Sequence, residues 1–177
     1  MPAKRLFVAI DFPEAVTQLL VRLNPHLPAV RWLKEDKIHL TLSFLGQVDE
    51  SHEEIFGEKL QAIRFVEFFL PIARVGTFPA KGKPRVIWAG VGRGHPQLFH
   101  LHKKVQEAAL AAGLEPDLRA WHPHITVARC RDVSAECVRP FLKLNSDFDA
   151  GLTRIESFAL YSSAGGRYTR ELEVKAA

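Results

Sequence analysis

His39-Leu40-Thr41-Leu42 and His124-Ile125-Thr126-Val127 share one form, His, aliphatic, Thr, aliphatic, and stand 85 residues apart in a chain of 177. Eight His and six Thr make about 0.3 His-x-Thr tripeptides expected by chance, so a second copy with matching aliphatic positions is a signal. Each copy sits in a stretch with the apolar density of a strand, Ile38 to Leu45 and His124 to Cys130. Residues two apart in a strand project from one face. Each copy therefore sets an imidazole beside a hydroxyl and sends its aliphatic residues to the other side.

Working outward, strands and helices alternate around both motifs. Arg5 to Asp11 reads as a buried strand, followed by a helix that Asp11-x-x-Glu14 and Pro13 begin and Asn24-Pro25 ends. Ser51-x-x-Glu54 is a second capping box, with Ile55, Phe56, Leu60 and Ile63 at helical spacing. Phe68 to Val75 and Arg85 to Val91 are strands separated by a Gly/Pro loop carrying Lys81 and Lys83. A helix runs from Pro96 to the stop at Gly113, and a shorter one over Ser134 to Leu144 turns Cys137, Val138 and Phe141 inward. Leu152 to Tyr161 and Arg170 to Val174 close the chain as strands. One motif in each half, each flanked by helices, predicts a single two-lobed domain over 1–177. Its class is α+β, with two antiparallel sheets and outer helices facing each other across a central groove, related by a pseudo-twofold axis.

Composition limits what such a groove could do. The chain is 47% hydrophobic and 25% charged with a net charge of +4, an ordinary globular balance whose mild basicity permits a polyanionic partner without naming one. The apolar run Leu6–Ile10 is far too short for a membrane span or a secretory core. Cys130 and Cys137 lack a Cys-x-x-Cys pattern, so two reduced thiols and a cytoplasmic location are expected, with no cysteine zinc site. Gly90-x-Gly92-x-Gly94 lies between a strand and a helix, yet it lacks the closing Gly or Ala and the downstream acidic residue of a dinucleotide site. His122-Pro-His124 could share a face and bind zinc, but no third ligand stands nearby. His100-x-His102 falls on a helix where the two do not share a face, and reads as solvated surface.

Two imidazoles facing each other suit acid–base displacement at phosphorus. One neutral ring takes a proton from the attacking oxygen and one imidazolium gives a proton to the leaving oxygen. The Thr hydroxyls would donate to the non-bridging oxygens as charge gathers there.

The residues resemble a known family. His39-Leu-Thr-Leu-Ser-Phe-Leu-Gly46, preceded by Val30-Arg-Trp-Leu-Lys34, together with Pro123-His-Ile-Thr-Val-Ala-Arg129, are similar to the paired signatures of the two-histidine (2H) phosphoesterases. More narrowly they resemble the RNA 2′,3′-cyclic phosphodiesterases, also called 2′-5′ RNA ligases. Arg5–Asp11, Pro84–Gly90, Leu160-Tyr-Ser-Ser and Gly166-Arg-Tyr168 fit as well. The resemblance implies a bilobal fold with a central groove, and hydrolysis of an RNA-terminal 2′,3′-cyclic phosphate to a 2′-phosphomonoester with no metal and no cofactor. It makes His124 the general base that activates water and His39 the general acid at the 3′-oxygen. Thr41 and Thr126 would hold the phosphate, Arg129 would bind it in bidentate fashion, and Phe44 would stack on a base. RNA or an oligonucleotide ending in a cyclic phosphate is the expected partner, with Lys81 and Lys83 as outer contacts and no membrane and no obligate protein partner. A non-catalytic RNA-binding module on the same groove, and 2′-5′ joining by the reverse reaction, are the other readings.

Parity sets a condition on that carry-over. Phe44 and Arg129 each lie five residues after a motif His, so in an unbroken strand both would point away from it. A bulge or strand end must fall between Thr41 and Phe44 and between Thr126 and Arg129. Without one, Phe44 is core packing.

Overall fold

Leu40 and Ile125, the aliphatic residues inside the two motifs, are paired across the centre of one nine-stranded sheet. The computed structural model describes residues 3–92 and 95–177. Gly94 of the glycine-rich run falls outside them. The strands formed by these residues are β1 (Lys4–Asp11), β2 (Val30–Trp32), β3 (His39–Val48), β4 (Phe68–Phe78), β5 (Val86–Gly90), β6 (Ile125–Cys130), β7 (Asp149–Ile155), β8 (Ser157–Ala164) and β9 (Arg167–Lys175). The helices are α1 (Glu14–Arg22), α2 (Glu50–Gln61), α3 (Pro96–Ala111) and α4 (Ala135–Leu144).

Strand order is β7-β4-β5-β6-β3-β1-β8-β9, with β2 on β6, and the named strands pair antiparallel throughout. The α+β class and antiparallel pairing are as the sequence predicts. The two expected sheets are halves of one: β3-β1-β8-β9 on one side and β6-β5-β4-β7 with β2 on the other, joined through the Leu40–Ile125 pair. So narrow a junction lets the sheet open at its centre, and the groove lies there.

Hydrophobic patterning decides which face the groove takes. On β1, Leu6, Val8 and Ile10 enter the main core with Leu20 of α1, Phe56 and Leu60 of α2, and Leu98, Leu101 and Val105 of α3. Removing such side chains from water contributes roughly 1.5–3 kcal/mol each. Phe7, on the opposite face, lines the groove.

Local expectations fail at several places for identifiable reasons. Asp11 does not cap α1; Pro13 stands at the N-cap with no side-chain cap bond, and Asp11 ends β1 with its carboxylate accepting from the Tyr161 hydroxyl and from Arg170. Asp49, not Ser51, caps α2, accepting from the His52 amide at 2.9 Å. The apolar run Leu152 to Tyr161 is two strands: at Glu156 the chain passes from β7, paired with β4, to β8, paired with β1. Cys137 is exposed rather than inward. No helix among the described residues is long and apolar enough to cross a membrane.

Candidate active site

The parity condition is met in both halves by the same device. Along β3, His39, Thr41 and Phe44 pair with Asp11, Ala9 and Phe7, alternate residues of β1. The register shifts between Ala9–Thr41 and Val8–Ser43, leaving Leu42 without a partner. Along β6, Thr126 pairs with Trp88 and Arg129 with Val86, alternate residues of β5, and the shift leaves Val127 unpartnered. An extra residue of this kind reverses the parity of everything after it. The bulge shows directly in burial: Leu42-Ser43 and Val127-Ala128 are consecutive buried pairs, where a regular strand would alternate.

All six sequence-predicted residues consequently line one groove: His39, Thr41 and Phe44 from one half, His124, Thr126 and Arg129 from the other. Its cavity measures about 550 Å³. Phe44 is 64% exposed, which rules out the core-packing alternative.

Each imidazole has an aromatic support. His39 stacks on Phe7 with centroids 5.1 Å apart and meets the edge of Tyr168 at 5.6 Å. His124 meets Phe78 edge-on at 4.8 Å. Phe78 in turn lies against Trp88, whose indole covers Gly76 so closely that a Cβ there would come within 2.2 Å of the ring.

These surroundings also set the protonation states. Burial pushes the His39 pKa from 6.5 down to about 4, against the opposing pull of the Asp11 carboxylate and the Lys37 carbonyl; Arg129 and Lys37 add to the depression. Burial likewise lowers the pKa of His124, opposed by the His122 carbonyl. Both rings are therefore neutral in the unliganded groove at pH 7. His124 Nδ1 donates to the His122 carbonyl at 2.7 Å, which fixes the tautomer and leaves Nε2 with its lone pair.

Sequence reasoning missed much of the wall. Arg5, Arg31 and Lys37 line the groove beside Arg129, and among the described residues no carboxylate lines it. The Lys37 ammonium lies 3.8 Å from the centre of the Tyr168 ring and donates to the Gly166 carbonyl, tying the β8–β9 turn to the groove. Arg5 was legible, two before Phe7 on β1, whereas Lys37 ends a 3-10 turn, Glu35–Lys37, ahead of β3 and strand periodicity does not place it. Arg31 was not legible either, because its place depends on β2 pairing with β6. The expected outer contacts fare differently: neither Lys81 nor Lys83 lines the groove, and Lys83 holds Asp132 at 2.7 Å. His102 is not simply solvated; it stacks flat on Trp121 at 4.0 Å, and burial lowers its pKa. Among the described residues no cluster of three metal-binding side chains forms around His122 and His124.

Among the described residues, four basic side chains, two imidazoles and two hydroxyls converge on one groove, an arrangement able to hold a phosphate-like anion and to move a proton at it. The family model described as LigT-like phosphoesterase matches residues 9–88 and 91–168, one motif in each segment. The RNA 2′,3′-cyclic phosphodiesterase of Aeropyrum pernix is 31% identical over 84% of this chain and 87% of its own. That of Archaeoglobus fulgidus is 30% identical over 90% of each. Escherichia coli LigT in its apo form superposes with a TM-score of 0.82 at 27% identity, covering 100% of this chain and 99% of its own, and the same protein complexed with 3′-AMP gives 0.79 at 28%. Matched along nearly its whole length by that model and by these relatives, the chain belongs to the LigT-like phosphoesterases of the 2H superfamily.

Proposed function

We propose that this chain hydrolyses the 2′,3′-cyclic phosphate at an RNA end to a 2′-phosphomonoester, by acid–base catalysis from its two histidines and without a metal ion. The observation that carries this reading is the convergence of both His-x-Thr pairs, through matched bulges, on one cationic groove. The relatives' names as RNA 2′,3′-cyclic phosphodiesterases support the substrate.

In this mechanism His124 Nε2 takes a proton from water as the water oxygen bonds to phosphorus. The bond from phosphorus to the 3′-oxygen breaks, and His39 gives that oxygen its proton. A 2′-phosphomonoester and a free 3′-hydroxyl result. Thr41 and Thr126 donate to the non-bridging oxygens, and Arg129 neutralises the charge building on them.

His39 must be charged to serve as the acid, and the free groove keeps it neutral. The substrate supplies the correction. One negative charge about 4 Å away at an effective dielectric of about 20 is worth about 4 kcal/mol, enough to bring a pKa near 4 back toward neutrality. The acid is thus armed by the phosphate it serves.

Incubating the protein with an RNA bearing a 2′,3′-cyclic end, with EDTA present and pH varied from 5 to 9, tests the reading. A 2′-phosphate should form, and His39→Ala or His124→Ala should reduce the rate by about 10²–10⁴ each. No product at any pH would leave a binding module, a 3′-phosphate product would overturn the bond assignment, and loss of activity in EDTA would overturn the metal-free step.

A further inference from the structure

Arg31 of β2 and Arg129 of β6 are directly opposed across an antiparallel pair, so both side chains leave the same face of the sheet. Like charges placed opposite one another in this way repel. Three guanidiniums of the protein are neutralised by carboxylates: Arg119 holds Asp117, Arg154 holds Glu67 and Glu156, and Arg170 holds Asp11. Among the described residues no carboxylate forms an ion pair with Arg31, Arg129 or the neighbouring Arg131. The nearest acid in sequence, Asp132, is engaged by Lys83.

These three arginines also mark a path. Arg31 and Arg129 line the catalytic groove and also a second hollow of about 490 Å³ that Arg131 lines with them. Strand geometry sets the opposed pair about 5 Å apart at the backbone, and Arg131 follows immediately after the end of β6 at Cys130. The ridge therefore presents forked donors over a span longer than one phosphate requires. Within the groove, the reacting phosphate has Arg129, both threonines and both imidazoles. Arg131, outside the groove, has no such anion to meet.

We propose that this ridge holds the phosphodiester joining the terminal nucleotide to the one before it, so that the enzyme takes an oligonucleotide end in preference to a cyclic mononucleotide. The proposal rests on the function assigned above and adds which part of the substrate is read. It routes the RNA strand over Arg31, Arg129 and Arg131, away from the loop carrying Lys81 and Lys83.

Arg131→Gln is the informative variant, because Arg131 lies outside the groove. Rates on a 2′,3′-cyclic mononucleotide and on a dinucleotide with the same cyclic end should diverge: kcat/KM for the dinucleotide falls about three- to tenfold, while the mononucleotide rate stays unchanged. The plot of log kcat/KM against log salt should be steeper for the dinucleotide by about 0.7, one phosphate contact on a single strand, and Arg131→Gln should remove that difference. Equal losses on both substrates, or none on either, would overturn the ridge. A protein that turns over neither substrate fails the function instead. The ridge is then read by the affinity for the 2′-phosphate forms of the same dinucleotide and mononucleotide: tighter dinucleotide binding that Arg131→Gln abolishes supports it, and equal affinities overturn it.

Discussion

Leu42 and Val127 are structural equivalents, each the unpaired residue of a bulge three positions after a motif histidine. Neither touches substrate in the mechanism above. Both point into the core, 1% and 0% exposed, and through them Phe44 and Arg129 return to the face their histidines occupy. This placement makes Phe44 an exposed aromatic on the groove wall. Phe44→Ala should leave the unfolding free energy within about 0.5 kcal/mol and weaken substrates that present a base by about 1–3 kcal/mol. Denaturant titration and KM for the cyclic substrate, measured side by side, check it. A marked loss of stability would mean that Phe44 packs rather than binds.

How far the sequence was legible follows from what each inference needed. The His-x-Thr pairs required only strand periodicity and a count, and both pairs reached the groove. Arg129 and Phe44 required a bulge, which leaves no mark in a single sequence: Leu42 and Val127 are ordinary strand residues. Arg31 required knowing that β2 lies on β6, a long-range pairing that no local pattern encodes. The merged strand from Leu152 to Tyr161 failed similarly, because apolar residues continue past Glu156 while the chain changes its partners from one half of the sheet to the other. At the helix starts, side chains that matched capping boxes were outcompeted, Asp11 by its bonds to Tyr161 and Arg170 and Ser51 by Asp49.

Acid should destabilise this fold through its histidines before its carboxylates. The His39 pKa is about 4 in the folded chain against 6.5 for the free side chain. Between those values the unfolded state binds more protons, so stability rises with pH and is lost as pH falls from 6.5 through 4. His124 adds in the same direction. The His39 contribution is about 3 kcal/mol at most. Urea unfolding of the wild type and His39→Asn at pH 7 and 4.5 reads it, with the variant expected to lose less between the two. Sulfate, whose charge does not change in this range, should bind more tightly at pH 5.5 than at 7.5, since the anion favours the protonated ring.

Gly76 bears on the other histidine. A Cβ at this position would come within 2.2 Å of the Trp88 ring, and Trp88 supports Phe78, which supports His124. Overfilling a packed site costs about 1–3 kcal/mol, so Gly76→Ala should lower the melting temperature. It should also reduce kcat by displacing the His124 ring, while the titration of His39, in the other half of the sheet, stays where it was. Unchanged kcat with lowered stability would show that the aromatic stack does not position His124.

Asp11 faces His39 across β1 and β3, and its charge is the largest influence opposing the burial that depresses the imidazole. The same carboxylate accepts from the Tyr161 hydroxyl and from Arg170 at 3.1 Å, and burial with this bond lifts the Tyr161 pKa to about 12. Two roles are therefore separable: support of the Tyr161–Arg170 contact and partial restoration of His39's basicity. Asp11→Asn keeps the shape and a hydrogen-bond acceptor while removing the charge. The His39 titration, followed by NMR, should move to still lower pH, and kcat should fall with KM nearly unchanged, because the acid becomes harder to arm in the bound complex. Solvent limits the size: the Asp11 side chain is 41% exposed, so the change in the protonation constant should stay below about tenfold. Stability should fall by no more than about 1 kcal/mol, the usual range for an exposed pair. Asp11→Glu should recover much of kcat. If the titration of His39 does not move in Asp11→Asn, the carboxylate serves the Tyr161–Arg170 contact alone, and the phosphate must charge His39 unaided.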